Sequence, residues 1–179
     1  GCVLFFKDPH SKGYVSWHQD ATYMGLEPHE FVTPWLALTP SNPECGCLRV
    51  IPGSHKREIH SHDDTYAENN ILTRGQSIQN VDEESAVDLV LQPGQMSIHH
   101  ASLIHGSLPN NSDQRRMGIA LQCYFTPACR QKIGDNLVQV VQGCHSASGY
   151  SVLKRPKRDM DQEARSERIR CNKNWSNIL

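Results

Sequence analysis

The chain has 179 residues, of which 37% are hydrophobic and 21% charged, and its formal net charge is -1. That balance describes one ordinary globular domain with a full core and excludes the global basic excess of a nucleic-acid binder, so no nucleic-acid partner is expected. No apolar run reaches the roughly 18 residues a spanning helix needs, and Gly1 to Phe6 lacks the basic region and length of a signal peptide, so a cytoplasmic protein without a membrane partner is expected. The chain starts without Met inside a strand-like run, which predicts the later part of a longer protein. Seven cysteines, an odd number without a Cys-x-x-Cys pair, predict free thiols in a reducing compartment.

Val3-Leu4-Phe5-Phe6 reads as a short strand ended by Lys7-Asp8-Pro9, and Ser11-Lys12-Gly13 marks a turn. Tyr14-Val15-Ser16-Trp17 is a second β-prone stretch leading into His18-Gln19-Asp20. After the loop Glu27-Pro28-His29-Glu30, residues 31–39 have strand composition, with Pro34 predicting an edge or a bulge. Cys45-Gly46-Cys47 reads as a glycine turn with Cys47 entering the buried strand Cys47–Ile51, rather than as a metal or redox pair. The stretch from Lys56 to Gln76 is the longest irregular segment, of a length that serves as a lid or binding wall or is mobile. Strand patterns resume over residues 86–91 and 96–100.

Short strands at near-regular spacing, joined by Pro/Gly-rich turns, predict an all-β core of the jelly-roll kind over residues 1–150. Residues 151–179 read as a charged tail, with a surface helix possible over Asp159 to Cys171.

The candidate chemistry begins at His18-Gln19-Asp20. Alternate strand residues share a face, so His18 and Asp20 would project together and could grip one ion. By chance about every second chain of this composition carries such a pair, and His62-Asp63-Asp64 repeats the spacing inside a polar run that reads as a solvated loop. His99, His100 and His105 compete for a third ligand position. His105 is favoured because Gly106 and Ser107 follow it just before a turn, whereas His99 and His100 face opposite ways.

Residues 103–107 and 116–125, on either side of Pro109-Asn110-Asn111-Ser112-Asp113, read as a hairpin that sets His105 opposite Arg116, with Arg115 facing away. Two imidazoles and one carboxylate on an octahedral iron leave three positions for a chelating co-substrate and dioxygen. Zinc on the same ligands, giving hydrolysis, is the competing reading, and the paired arginine favours iron.

The chain resembles the phytanoyl-CoA dioxygenase family of Fe(II)/2-oxoglutarate oxygenases from about Phe5 to Gln131. The matching pieces are Trp17-His18-Gln19-Asp20, residues 32–38, residues 46–56, and Leu103-Ile104-His105-Gly106-Ser107 with Arg116 eleven residues on. The resemblance implies a double-stranded β-helix, Fe(II) held by His18, Asp20 and His105, and the distal carboxylate of 2-oxoglutarate held by Arg116 with Ser107. Gln19 and Trp35 match family positions near the co-substrate, and Trp35 reads equally as a core aromatic. The implied reaction hydroxylates a small organic or acyl substrate with dioxygen, releasing succinate and carbon dioxide. Asp20 argues against halogenation, in which a small residue replaces the carboxylate, and a non-catalytic binding module is the alternative of another class. Tyr23, Met24, His29 and Arg74 are candidate pocket-wall residues. The basic run Lys154 to Arg158 reads as a solvated tail, and the oligomeric state is left open.

Overall fold

A computed structural model of the chain describes residues 1–132, 137–143 and 150–176. In chain order the strands are β1 (Cys2–Lys7), β2 (Val15–His18), β3 (Leu26–Glu27), β4 (Phe31–Ala37), β5 (Leu48–Val50), β6 (Asp63–Asp64), β7 (Gln76–Ser77) and β8 (Val87–Leu89). They continue as β9 (Met96–His100), β10 (His105–Ser107), β11 (Arg116–Leu121), β12 (Tyr124–Phe125), β13 (Arg130–Gln131), β14 (Leu137–Val138) and β15 (Ser151–Val152). Two α-helices, α1 (Ala21–Met24) and α2 (Gln162–Ser176), and two 3-10 turns, Ser54–Lys56 and Glu83–Ser85, complete the set among the described residues.

The chain divides into two compact units, one of residues 1–22 and 31–124 and the other of residues 23–30 and 125–179. In the first unit, antiparallel pairing links β1, β11, β4 and β9 in that order, and a second sheet runs β2-β10-β5-β8. Successive long strands alternate between the sheets: β8 and β10 lie in one, β9 and β11 in the other. This is the all-β jelly-roll architecture expected from the sequence.

That alternation overturns the expected hairpin. β10 pairs with β2 and β5, while β11 pairs with β1 and β4, so the segment 108–115 crosses between sheets and Arg116 lies opposite Lys7 rather than His105. The turn-rich composition serves the crossover instead. The fully buried Asn110 side chain donates to the carbonyls of Lys7, Asp8 and Gln114, which pins the crossing to the end of β1. Pro34 likewise departs from expectation, because β4 is paired on both sides. It sits one residue beyond the β11 ladder, which ends at Trp35, so no bond of that ladder requires its missing N–H.

Alternation along β1 and β11 builds the interior. Phe5 and Lys7 face inward with Arg116, Gly118 and Ala120, while Leu4 and Phe6 are exposed on the outer face. Trp35, Ala37 and Ala120 form a buried cluster against which Phe5 and Leu91 pack. The indole of Trp35 lies directly on Gly118, where an added Cβ would stand 1.9 Å from its ring.

The long segment 56–76 is tied to β2. Tyr14 bridges to Asn70, Asn70 Nδ2 donates to Ser16 Oγ at 2.8 Å, and β6 pairs with β7 through exposed Asp63 and Asp64, where a solvated loop was expected.

In the second unit β3 pairs with β13, and β14 runs parallel to β15. The exposed α2 begins at Asp161, whose Oδ1 accepts the Ala164 N–H at 3.1 Å as an N-cap. The described cysteines are free thiols, and Cys144 lies outside the described residues. Among the described residues no helix is long and apolar enough to cross a membrane.

The Trp35–Gly118 contact is testable. Overpacking a filled core costs about 1–3 kcal/mol. Gly118→Ala is therefore expected to lower the urea midpoint of unfolding with little change in its slope. An unchanged midpoint would show that the indole does not rest on this glycine.

Candidate metal centre

β2 and β10 are neighbours, and His18 stands directly opposite His105. Opposed side chains of an antiparallel pair project on one face, and the two imidazole rings lie 4.1 Å apart. Each ring is oriented by its own strand: His18 Nδ1 bonds to the Ser16 carbonyl and His105 Nδ1 to the Leu103 carbonyl, both at 2.9 Å. A carbonyl can only accept, so each Nδ1 carries a proton, the arrangement that leaves Nε2 as the nitrogen facing a metal.

Asp20 arrives differently from the strand alternation expected. β2 ends at His18, and Asp20 lies in the turn before α1, where the Ala21 N–H donates to Ala101 O. Its Oδ1 is 3.6 Å from His18 Nε2 and 3.8 Å from His105 Nε2, while its Oδ2 accepts a 2.7 Å hydrogen bond from Thr33 Oγ1. His18, Asp20 and His105 are all buried, and their candidate ligand atoms lie within 4.8 Å of one another.

Electrostatics set the protonation states such a site needs. Burial alone would raise the Asp20 pKa, yet His105 first, then His18 and His99, overcome it and hold the carboxyl well below its usual range. Burial, reinforced by His18 and His99, pushes His105 well below the usual imidazole value. A carboxylate and a neutral imidazole are the forms that bind a divalent metal.

His99 is the third buried imidazole among the described residues. Its ring lies 4.5 Å from that of His105, and its Nε2 is 3.4 Å from Asp20 Oδ2, on the carboxylate's outer oxygen rather than among the three clustered ligand atoms. His100 turns the other way, with its ring 5.9 Å from that of His55. His62, expected in a solvated loop, instead accepts the Gln19 N–H on Nε2 at 3.0 Å. Gln19 itself is fully buried, and its side-chain amide is engaged by the Ser102 carbonyl and the His60 N–H, so it ties segment 56–76 to the site.

A second cluster lies on β1, β4, β10 and β11. The Arg116 guanidinium is 3% exposed and stacks 4.4 Å from the Trp35 ring centroid, so Trp35 is at once core aromatic and platform. Arg115 is exposed and pairs with Asp8 at 2.5 Å. Burial brings the Arg116 pKa down to about 10, and its Nε is buried with no hydrogen-bond partner among the described residues. Ser107 is buried beside Lys7, whose Nζ is 2.7 Å from Ser107 Oγ.

Lys7 and Thr33 escaped sequence reasoning. Lys7 read as a strand terminator, although its position two residues after Phe5 puts it on the inner face. Thr33 occupies the same inward row as Trp35. Of the candidate wall residues, Tyr23, Met24 and His29 belong to the second unit, with Tyr23 and Met24 buried and His29 Nδ1 bonded to Leu26 O. Arg74 pairs with Asp64 at 3.7 Å.

The family model described as phytanoyl-CoA dioxygenase matches residues 2–118. The chain belongs to the phytanoyl-CoA dioxygenase family. The peroxisomal phytanoyl-CoA dioxygenase of Bos taurus is 35% identical over 113 residues, covering 62% of this chain and 33% of that protein. Phytanoyl-CoA dioxygenase of Arabidopsis thaliana is 30% identical over 137 residues, covering 76% of this chain and 47% of that protein. The chain thus spans a third to a half of the length of these relatives.

Among solved structures, the apo form of ThoJ, a non-heme monooxygenase, superposes with a TM-score of 0.85 at 30% identity, over 99% of this chain and 64% of that one. EvdO2 from Micromonospora carbonacea, complexed with 2-oxoglutarate, gives 0.54 at 28% identity, over 66% of this chain and 50% of that one. The phytanoyl-CoA dioxygenase family is Fe(II)- and 2-oxoglutarate-dependent, and this chain's residues fit both groups. Two imidazole Nε2 atoms and an ionised carboxylate suit a divalent iron, and a buried guanidinium whose Nε has no partner among the described residues suits a carboxylate.

Thr33 fixes the Asp20 rotamer through one hydrogen bond. Loss of such a supporting partner typically costs about 10–100-fold in metal affinity. Thr33→Val is accordingly expected to weaken Fe(II) binding on that scale in anaerobic titration, and Thr33→Ser to restore most of it. Equal affinities for all three proteins would exclude the role.

Proposed function

We propose that this chain carries the catalytic core of an Fe(II)/2-oxoglutarate-dependent hydroxylase acting on a small organic or acyl substrate. The observation that carries the reading is the convergence of three buried side chains, His18, Asp20 and His105, whose candidate ligand atoms lie within 4.8 Å of one another. In this reading those three atoms hold the iron. Bound iron supplies oxidative chemistry: dioxygen and 2-oxoglutarate are converted to succinate and carbon dioxide while a substrate C–H bond is hydroxylated.

The chain's own residues position the reactants. Arg116 takes the distal carboxylate of 2-oxoglutarate, Trp35 keeps the guanidinium flat and desolvated, and Ser107 contributes its hydroxyl. Gln19, held between Ser102 O and His60 N–H, supports the wall of segment 56–76, which limits water around the centre. Tyr23, Met24, His29 and Arg74 remain the residues to vary when substrates are screened by succinate formation.

Two measurements test the assignment. Anaerobic Fe(II) with 2-oxoglutarate is expected to give a weak visible charge-transfer band that Asp20→Ala and His105→Ala each abolish. Asp64→Ala, which alters the second His-x-Asp, should retain it. A band that survives Asp20→Ala and disappears in Asp64→Ala would reverse the assignment.

Truncating one partner of a buried charge pair costs roughly 2–5 kcal/mol. Arg116→Ala is therefore expected to weaken 2-oxoglutarate binding by about thirty-fold to several-thousand-fold while Fe(II) affinity holds. Arg115→Ala, on the exposed side, should leave both titrations unchanged. Equal 2-oxoglutarate affinity in the parent and Arg116→Ala would sink the co-substrate site.

A further inference from the structure

Lys7 and Arg116 are register partners across β1 and β11, 1% and 3% exposed. Among the described residues the arginine and lysine ion pairs all lie elsewhere, so neither cation has a carboxylate. Burial first, and the neighbouring guanidinium second, bring the Lys7 pKa down to about 7. Two desolvated cations side by side are costly unless an anion answers them.

The three protons of Lys7 define what it does. Its Nζ donates to Ser107 Oγ at 2.7 Å, to Gly46 O at 3.4 Å and to Leu108 O. These acceptors are fixed by close packing: Gly46 adopts φ +70, and a Cβ there would stand 2.2 Å from Leu108 O. An ammonium has no lone pair, so in the bond to Ser107 the hydroxyl oxygen must accept. The Ser107 hydrogen is then left to donate, and it has no acceptor among the described residues. On the other side of Lys7, its register partner Arg116 has a buried Nε without a partner among the described residues. Lys7, Ser107 and Arg116 therefore offer positive charge and unspent donors and no acceptor, the complement of a carboxylate.

We propose that Lys7 is a positioning residue for the distal carboxylate of the co-substrate, acting through the Ser107 hydroxyl, whose hydrogen it directs outward, and through its charge beside Arg116. The proposal rests on the oxygenase reading above. A lysine that only stapled Gly46 to Leu108 would hold the fold without discriminating among 2-oxo acids.

The charge has a pH signature. A carboxylate arriving beside Lys7 raises its pKa above the free value, so 2-oxoglutarate affinity is full below about pH 7 and falls as pH rises from the free value toward the bound one. The groups facing Lys7 are Arg116 from β11 and Cys45 and Cys47 from the turn before β5. Arg116 stands at about 10, and burial pushes Cys47 up to about 11, so neither changes charge near neutrality.

The test is calorimetric titration of the Ni(II)-loaded protein with 2-oxoglutarate and with 2-oxopentanoate, which has the same chelating end and length but no distal carboxylate. Lys7→Met is expected to weaken 2-oxoglutarate binding by about tenfold to a hundredfold, leave 2-oxopentanoate and Ni(II) binding unchanged, and flatten the decline above pH 7. Equal losses for both acids, or no loss for 2-oxoglutarate, would overturn the role. If Lys7→Met fails to fold, the parent protein's pH profile decides: a fall in 2-oxoglutarate affinity above about pH 7 that 2-oxopentanoate does not share supports the proposal, and the same profile for both acids refutes it. A parent protein that binds both acids equally would instead refute the oxygenase reading on which the proposal rests.

Discussion

A carboxylate withdrawn from water has to be answered by its surroundings, and the buried Asp20 organises much of this molecule. Two imidazoles address its Oδ1, while Thr33 and His99 address its Oδ2, and these residues come from β2, β4, β9 and β10. The two sheets of the first unit therefore meet at one side chain. Removing Asp20 from its partners would leave an uncompensated charge in the interior, which costs far more than the loss of any one contact. Lys7 and Arg116 pose the opposite requirement in the same unit: charge already desolvated and awaiting an anion.

How much of this could be read from the amino acids follows from the range of each signal. His18 and Asp20 were legible because their relation is local, although the turn and Thr33, rather than strand alternation, bring the carboxylate round. Alternation said that Arg116 and Arg115 face opposite ways, but the choice of Arg116 as the inward one rested on a hairpin register that the structure overturns and on the family resemblance, and it is the pairing with Lys7 that turns Arg116 inward. The partner of β10 was not legible. Apolar alternation says which residues of a strand face the core but not which sheet the strand joins, and Pro109 to Asp113 reads equally as a hairpin or a crossover. Lys7 was hidden for a related reason: a charged residue at the end of an apolar run ordinarily marks the chain leaving the core, and only the register with Arg116 shows that it stays inside.

Gln19 shows how one residue can serve the centre without touching a ligand. Lying between His18 and Asp20, it binds the His60 N–H and the His62 ring in segment 56–76 and the Ser102 carbonyl between β9 and β10. The side chains on its two flanks are thereby held by something outside their own strand. The repeat of the His-x-Asp spacing at His62 is thus structurally engaged without joining the candidate metal trio.

The crossing of segment 108–115 between the sheets bears on how the protein forms. His18 and His105 are 87 residues apart in sequence, and Lys7 is 100 residues from Ser107, so apart from the local His18–Asp20 pair the site is assembled from distant parts of the chain. Contacts of such separation carry a large loop-closure entropy and are slow to form. The cationic pair forms where β1 joins β11 and the two imidazoles meet where β2 joins β10, but the Thr33 and His99 contacts to Asp20 and the Lys7–Ser107 bond exist only when the two sheets have closed on each other. Ligands of this centre would act as a clasp on the finished sandwich, slowing its unfolding more than they speed its folding.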